Sequence, residues 1–157
     1  PYVKNQLGVI EPIGYKLSMG VLPKLGIDLD SYLDLKDIIV AIPRGVYVGD
    51  RFMNDKTISK ASTSKYYSAL LMLKLGRVDA IAGAIQSLIY LAKNEGITQQ
   101  AFGKPLIFSE NEMALFCNNA VNKEIRERLK NTVIQLKTSG KMEKLLNLHF
   151  KSELNKP

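Results

Sequence analysis

Three short stretches carry residues able to hold a small ligand. In Pro43 to Tyr47, Arg44 and Tyr47 follow a β-branched run. Ser59 to Ser64 offers the hydroxyls of Ser62 and Thr63, and Gly83 to Ser87 offers Gln86 and Ser87. A guanidinium, a phenol, hydroxyls and a carboxamide hold ligands by hydrogen bonds. Two of the stretches lead into helix-like segments, whose first backbone N–H groups favour a carboxylate or another anion. Plainer roles compete: Ser62 and Thr63 suit helix capping, and Arg44 suits a solvated surface. Of Tyr66 and Tyr67, one is expected to pack in the core, and either could serve as a ligand platform.

No catalytic set accompanies these groups. Gly45 and Gly49 lack the Lys-Ser/Thr ending of a phosphate-binding loop, and the dinucleotide fingerprint is missing too. Asp79 has the carboxylate of a general base but no partner acid at informative spacing, so a structural role at a strand entrance is expected. Cys117 is the single cysteine, which excludes an intrachain disulfide and a Cys-rich metal centre. In the apolar run Ala114 to Cys117 it is expected to pack as a small buried hydrophobe. The one histidine, His149, shares no motif with it. The chain is therefore expected to be no enzyme and to need neither cofactor nor metal.

Composition narrows the class. The 157 residues suffice for one ordinary domain, or one and a half small ones, with a proper core. No apolar run approaches the roughly 18 residues of a membrane span. The formal charge of +7 raises nucleic acid as a partner, but the lysines are scattered and no basic run is interleaved with aromatics. Clustering, more than net charge, marks such a partner, so a solvated basic surface is expected and no nucleic acid. The chain opens on Pro1 without Met or a signal peptide, as a processed chain or a fragment would.

The elements that would position the three stretches follow from periodicity. Leu7 to Ile10 and Tyr15 to Leu22 suit strands broken by Pro12, Gly14 and Pro23. Ser31 to Lys36 suits a turn of helix, Ile38 to Ile42 a buried strand, and Val46 to Met53 a helix. Thr57 to Ser59 suits a second strand, with Ser62, Thr63 and Ser64 as caps for a helix from Lys65 to Leu75 closed by Gly76. Val78 to Ala82 suits a strand covered on both faces, and Ile85, Leu88, Ile89 and Ala92 recur at helical spacing up to Lys93. This alternation implies parallel strands with right-handed crossovers and a ligand crevice at their carboxyl ends. Pro105 to Glu110 and Glu112 to Cys117 read as two further extended runs. Asn122 to Ser139 reads as a helix with Ile125, Leu129, Val133 and Leu136 on one face, and Met142 to Phe150 as a last helix packed beside it. The tail Ser152 to Pro157 is polar.

In order and spacing, Asp34-Leu35-Lys36, the run Ile38 to Ile42, Gly76-Arg77-Val78-Asp79-Ala80 and Ser139 to Leu145 resemble the bacterial periplasmic solute-binding proteins of the polar amino-acid family, extracellular solute-binding protein family 3. Pro1-Tyr2 looks like the Pro-Tyr that ends the first-lobe segment, and the similarity runs to Phe150. The resemblance implies an α/β, periplasmic-binding-protein-like fold. Residues 1–21 would be lobe-connecting hinge strands and 22–107 a parallel-sheet second lobe. Residues 108–157 would be a return strand and the carboxyl-terminal helices of lobe 1, whose amino-terminal part is missing. Family members close two lobes about a hinge onto the ligand, an arginine of that missing part usually holding the α-carboxylate.

Two departures bear on the ligand. Where the family usually has Gly-Thr-Thr or Gly-Ser-Thr, this chain has Gly45-Val46-Tyr47. Where the family often has an aspartate for the ligand's ammonium, this chain has Ala84, which removes a charge-assisted hydrogen bond. The resemblance implies the ligand-binding part of an ABC importer, periplasmic or extracellular, that takes a small polar solute and meets a membrane permease. The solute would be amino-acid-like, or a small carboxylate or amine. Arg44, Gly45, Val46, Tyr47, Ser62, Thr63, Ala84 and Gln86 would line the site. A sensor ectodomain of a signalling receptor, a truncated member without a ligand, and a dehydratase-like enzyme are the alternatives. With lobe 1 incomplete, self-association or domain swapping is also expected.

Overall fold

In the computed structural model residues 7–149 are described, without the His149 side chain, so Pro1-Tyr2, Phe150 and the polar tail lie outside the described residues. Five strands, β1 (Leu7–Pro23), β2 (Ile39–Pro43), β3 (Ser59–Thr63), β4 (Ala80–Ala84) and β5 (Leu106–Asn118), form one sheet in the order β3-β2-β4-β1-β5. The helices are α1 (Asp50–Asn54), α2 (Tyr66–Lys74), α3 (Ile85–Asn94), α4 (Lys123–Thr138) and α5 (Lys141–His149). The chain divides into two units, one made of Leu17–Glu110 and the other of the residues on either side.

The Leu17–Glu110 unit is a two-faced sheet. β2 runs parallel to β3 and to β4, while the end of β1 pairs antiparallel with β4. Side chains alternate across a strand, so neighbours separate onto opposite faces. Leu22, Ala41 and Ile81 join α2 and α3 in one core, with Leu70, Leu73, Ile85 and Leu88. Val21, Val40, Ala80 and Ala82 join the other, under Leu35 of a 3-10 helix (Tyr32–Asp37) and Phe52 of α1. The 3-10 helix starts in a capping box: Ser31 Oγ accepts from Leu33 N at 3.2 Å and Asp34 Oδ2 accepts from Ser31 N at 2.7 Å. α2 ends as its sequence requires, with Gly76 at φ 66° and the N–H groups of Gly76 and Arg77 donating to Leu73 O and Met72 O.

Several boundaries differ from the sequence expectation. Leu7–Pro23 is one strand, not two: Pro12 withholds only an N–H, and its carbonyl accepts from Lys137 Nζ at 3.0 Å. The second parallel strand is Ser59–Thr63, where pairing with β2 residue for residue outweighs the weak strand preference of a polar sequence. The helix expected from Val46 starts only at Asp50, because Gly45 at φ 82° and Gly49 at φ 126° keep the intervening chain out of helical geometry. Lys60 Nζ then closes this short helix by donating to Phe52 O and Met53 O at 2.6 and 3.0 Å. The two runs expected around Glu110 form the single strand β5.

In the other unit, Asn122 caps α4 through Oδ1, which accepts from Glu124 N at 2.7 Å, and α4 contacts α5. The apolar face of α4 is less covered than its pattern implies: Val133 is buried, whereas Ile125 is 50% exposed. Cys117 is half-buried instead of buried, with Sγ 3.5 Å from Asn118 O, because it lies near the end of β5, a strand on which no residue of either face is fully buried.

Asp79 fastens the amino-terminal edge of the sheet. Its Oδ1 accepts from Lys24 Nζ at 2.7 Å and its Oδ2 from Ile39 N at 2.9 Å, while its own backbone bonds both Lys24 N and Ile39 O. The Ile39 N–H and then the Lys24 ammonium lower its pKa from the ordinary 3.8. A depressed carboxylate stabilises the fold above its unfolded pKa and loses that contribution as pH falls through the folded value. Asp79→Asn is therefore expected to cost about 1–3 kcal/mol at pH 7. In denaturant titrations its deficit against the parent should shrink as pH is lowered through and below 3.8; a deficit constant with pH would contradict this.

Candidate functional site

Parallel strands bring the three candidate stretches to one edge. β2, β3 and β4 end at Pro43, Thr63 and Ala84, and Arg44 N donates to Thr63 O at 2.9 Å. Arg44 to Tyr47 thus continue beside the end of β3, and the amino ends of α2 and α3 open from the same edge. Neither helix has a side-chain cap bond or an acidic residue in its first turn. Their leading N–H groups carry the positive end of the helix dipole.

The individual side chains divide by what already occupies them. Arg44 and Ser62 are exposed, Gly45 forms the turn after β2, and Val46 is half-buried. Tyr47 is 56% exposed, and a hydrogen bond to the Asp50 carboxylate raises its pKa. Thr63 is buried, and its hydroxyl donates to Lys65 O at 3.2 Å. Ser62 and Thr63 are strand residues, and the expectation that they cap α2 is corrected: Lys65 holds the N-cap position. Gln86 is also engaged, since its Oε1 accepts from Ser18 N at 3.0 Å and its Nε2 donates to Ser18 Oγ at 3.1 Å. That bidentate bond ties the start of α3 to β1 across 68 positions of sequence, and no local pattern announces Ser18.

Of the two adjacent tyrosines, Tyr66 is the one that packs inward. Its ring lies against Gly83, where an added Cβ would come within 2.5 Å of the hydroxyl oxygen and 2.6 Å of Cε1. Ala84 N approaches the same oxygen at 3.4 Å. Burial raises the Tyr66 pKa, with the Ala84 N–H acting the other way. Tyr67, by contrast, is 56% exposed. The edge is consequently a set of donors: two helix ends, a guanidinium and a hydroxyl. Pro43–Tyr47, Ser62–Ser68 and Gly83–Ser87 contain no Asp or Glu. Among the described residues no group of three or more His, Cys, Asp or Glu could hold a metal.

Solved structures share this fold. A cysteine-binding protein from Campylobacter jejuni matches with a TM-score of 0.73 at 21% identity, over 98% of this chain and 60% of its own. A mutant of ArgBP from T. maritima matches with a TM-score of 0.72 at 20% identity, over 94% and 63%. The GluR0 ligand-binding core from Nostoc punctiforme, solved with L-glutamate, matches with a TM-score of 0.69 at 23% identity, over 88% and 63%. The fold is therefore α/β and periplasmic-binding-protein-like, and the chain spans about three-fifths of the length of these structures. No protein-family model matches the chain, and no curated protein sequence does.

The close approach of Tyr66 to Gly83 is open to a double-mutant cycle. Gly83→Ala is expected to destabilise by about 1–3 kcal/mol through overpacking. In a Tyr66→Ala background the same change should cost at least about 1 kcal/mol less, since the two positions are coupled through contact. Additive chemical-denaturation free energies would show that the ring is not what excludes a side chain at position 83.

Proposed function

We propose that the chain is the ligand-binding part of a solute-binding protein of the polar amino-acid family and acts by binding, not catalysis. The observation that carries this reading is the meeting of two uncapped helix ends, Arg44 and Ser62 at the carboxyl edge of three parallel strands. Open α/β sheets bind ligands at that edge. The fold neighbours named for arginine, cysteine and glutamate binding support it. The ligand is a small polar solute with a carboxylate held by the helix ends and Arg44. Gly45, Val46, Tyr47, Ser62, Thr63 and Ala84 shape the pocket, and Gln86 positions the start of α3.

With Ala84 where relatives often carry an ammonium-binding aspartate, small carboxylates are favoured over ordinary zwitterionic amino acids. The reading places the protein in the periplasm or outside the cell, delivering its solute to the membrane permease of an ABC importer. Residues 22–107 act as the second lobe, 1–21 as connecting strands and 108–157 as part of the first lobe. Ile125, Leu145 and Leu148, which are 50%, 53% and 71% exposed, support self-association of the chain.

A thermal-shift series with the complete gene product against amino acids, small carboxylates and amines tests the reading. A carboxylate at a hundred times its Kd should stabilise by about 2.7 kcal/mol, and Arg44→Ala should weaken it about tenfold. Indifference to the whole series would overturn the proposal. For self-association, sedimentation of the 157-residue chain should show a concentration-dependent dimer; a strict monomer at high concentration rules it out.

A further inference from the structure

One side chain joins the two helix ends at the carboxyl edge of the sheet. Tyr66 is the first residue of α2, directly after the N-cap residue Lys65, and its phenol reaches the end of β4. There the hydroxyl oxygen accepts from Ala84 N at 3.4 Å, and Ala84 is the N-cap residue of α3. The amino ends of α2 and α3 therefore stand within the length of one tyrosine side chain. Gly83 makes room for the ring, since an added Cβ would come within 2.5 Å of the hydroxyl oxygen. Gly83 is not among the glycines with positive φ, so space, and not backbone conformation, asks for glycine at this position.

A phenol has one proton to donate and two lone pairs. The Ala84 N–H takes a lone pair, and among the described residues no acceptor takes the proton. The nearby hydroxyls are engaged elsewhere: Thr63 donates to Lys65 O, and Ser64 and Ser68 bond each other at 3.1 Å. The three stretches at the edge hold no Asp or Glu that could accept it. Burial raises the Tyr66 pKa, so the phenol stays neutral and keeps its proton at neutral pH. An N–H bonded to the oxygen also polarises the O–H and makes it a better donor. The leading N–H groups of α2 and α3 lack intrahelical acceptors, and both dipoles present their positive ends. A hydroxyl donor thus stands between two sets of backbone donors.

We propose that Tyr66 is a solute-binding residue whose O–H donates to a carboxylate oxygen of the solute, between the amino ends of α2 and α3. This role rests on the solute-binding reading and adds to it the group that favours an ionised carboxylate over the neutral amide of the same shape, because a hydrogen bond to a charged acceptor is the stronger one. Acetate and acetamide are the probes, titrated into the complete gene product by calorimetry and by ultraviolet difference absorption. Acetate should bind saturably and move the absorption of one tyrosine to longer wavelength, as donation by a phenol does, and acetamide should bind about tenfold more weakly or less. Tyr66→Phe keeps the ring over Gly83 and should weaken acetate about tenfold and abolish the spectral shift. It also strips Ala84 N of its acceptor, so circular dichroism sets the temperature at which each variant is fully folded. Tyr67→Phe, at the exposed neighbour, should change neither readout. Full acetate affinity in folded Tyr66→Phe, a spectral shift that survives there, or equal affinity for acetamide would each overturn the proposal. Arg44→Ala should weaken acetate yet keep the tyrosine shift at saturation. A parent protein that takes up no acetate would overturn the solute-binding reading as well, whereas binding that needs Arg44 and ignores Tyr66→Phe would overturn the role of Tyr66 alone.

Discussion

One carboxylate joins three strands at the edge of the sheet in residues 17–110. Asp79 precedes β4, yet its two oxygens hold the amide that leads into β2 and the ammonium that follows β1. Its backbone adds two more bonds to the same neighbours. Three strands far apart in sequence are thereby aligned at one end, and their pairing carries that alignment to the other. Hydrogen bonds to an ionised group are among the stronger ones available on a protein surface. The Asp79 carboxylate adds to the backbone ladders that set the register of β1, β2 and β4.

Much of this was readable from residue type and spacing. Ile85, Leu88, Ile89 and Ala92 are all buried along α3, and the Gly76 stop lies where its left-handed conformation is needed. Asp79 was legible as structural because no second acid stood near it. The failures have a common cause, which is that a neighbour overrode a local preference. Ser62 and Thr63 have the oxygens of a helix cap, but β2 offered them ladder bonds. Pro12 and Gly14 look like strand breakers, although β1 passes through both. Ser18 could not be assigned to the site, since its role comes from Gln86 across the fold, and nothing local announced the contact of Tyr66 with Gly83.

The candidate site owes its frame to the sheet topology. Backbone N–H groups at the amino ends of α2 and α3 come with the topology, whatever side chains surround them. In the proposed reading, selectivity falls to a few positions on the loops. A phenol bonded to the Asp50 carboxylate, a methyl group at position 84 and a guanidinium at position 44 stand among these loops.

β3 has a further consequence. It is the outermost strand on its side, and Ser59, Lys60 and Ser62 make it polar along most of its length. An open strand edge is a template for another chain, and short, charged edges discourage such pairing. Lys60 turns its ammonium back onto the carbonyls of α1, so the same side chain closes a helix and puts a charged group on the vulnerable border. Replacing it by an apolar β-branched residue would leave a better strand and a stickier protein.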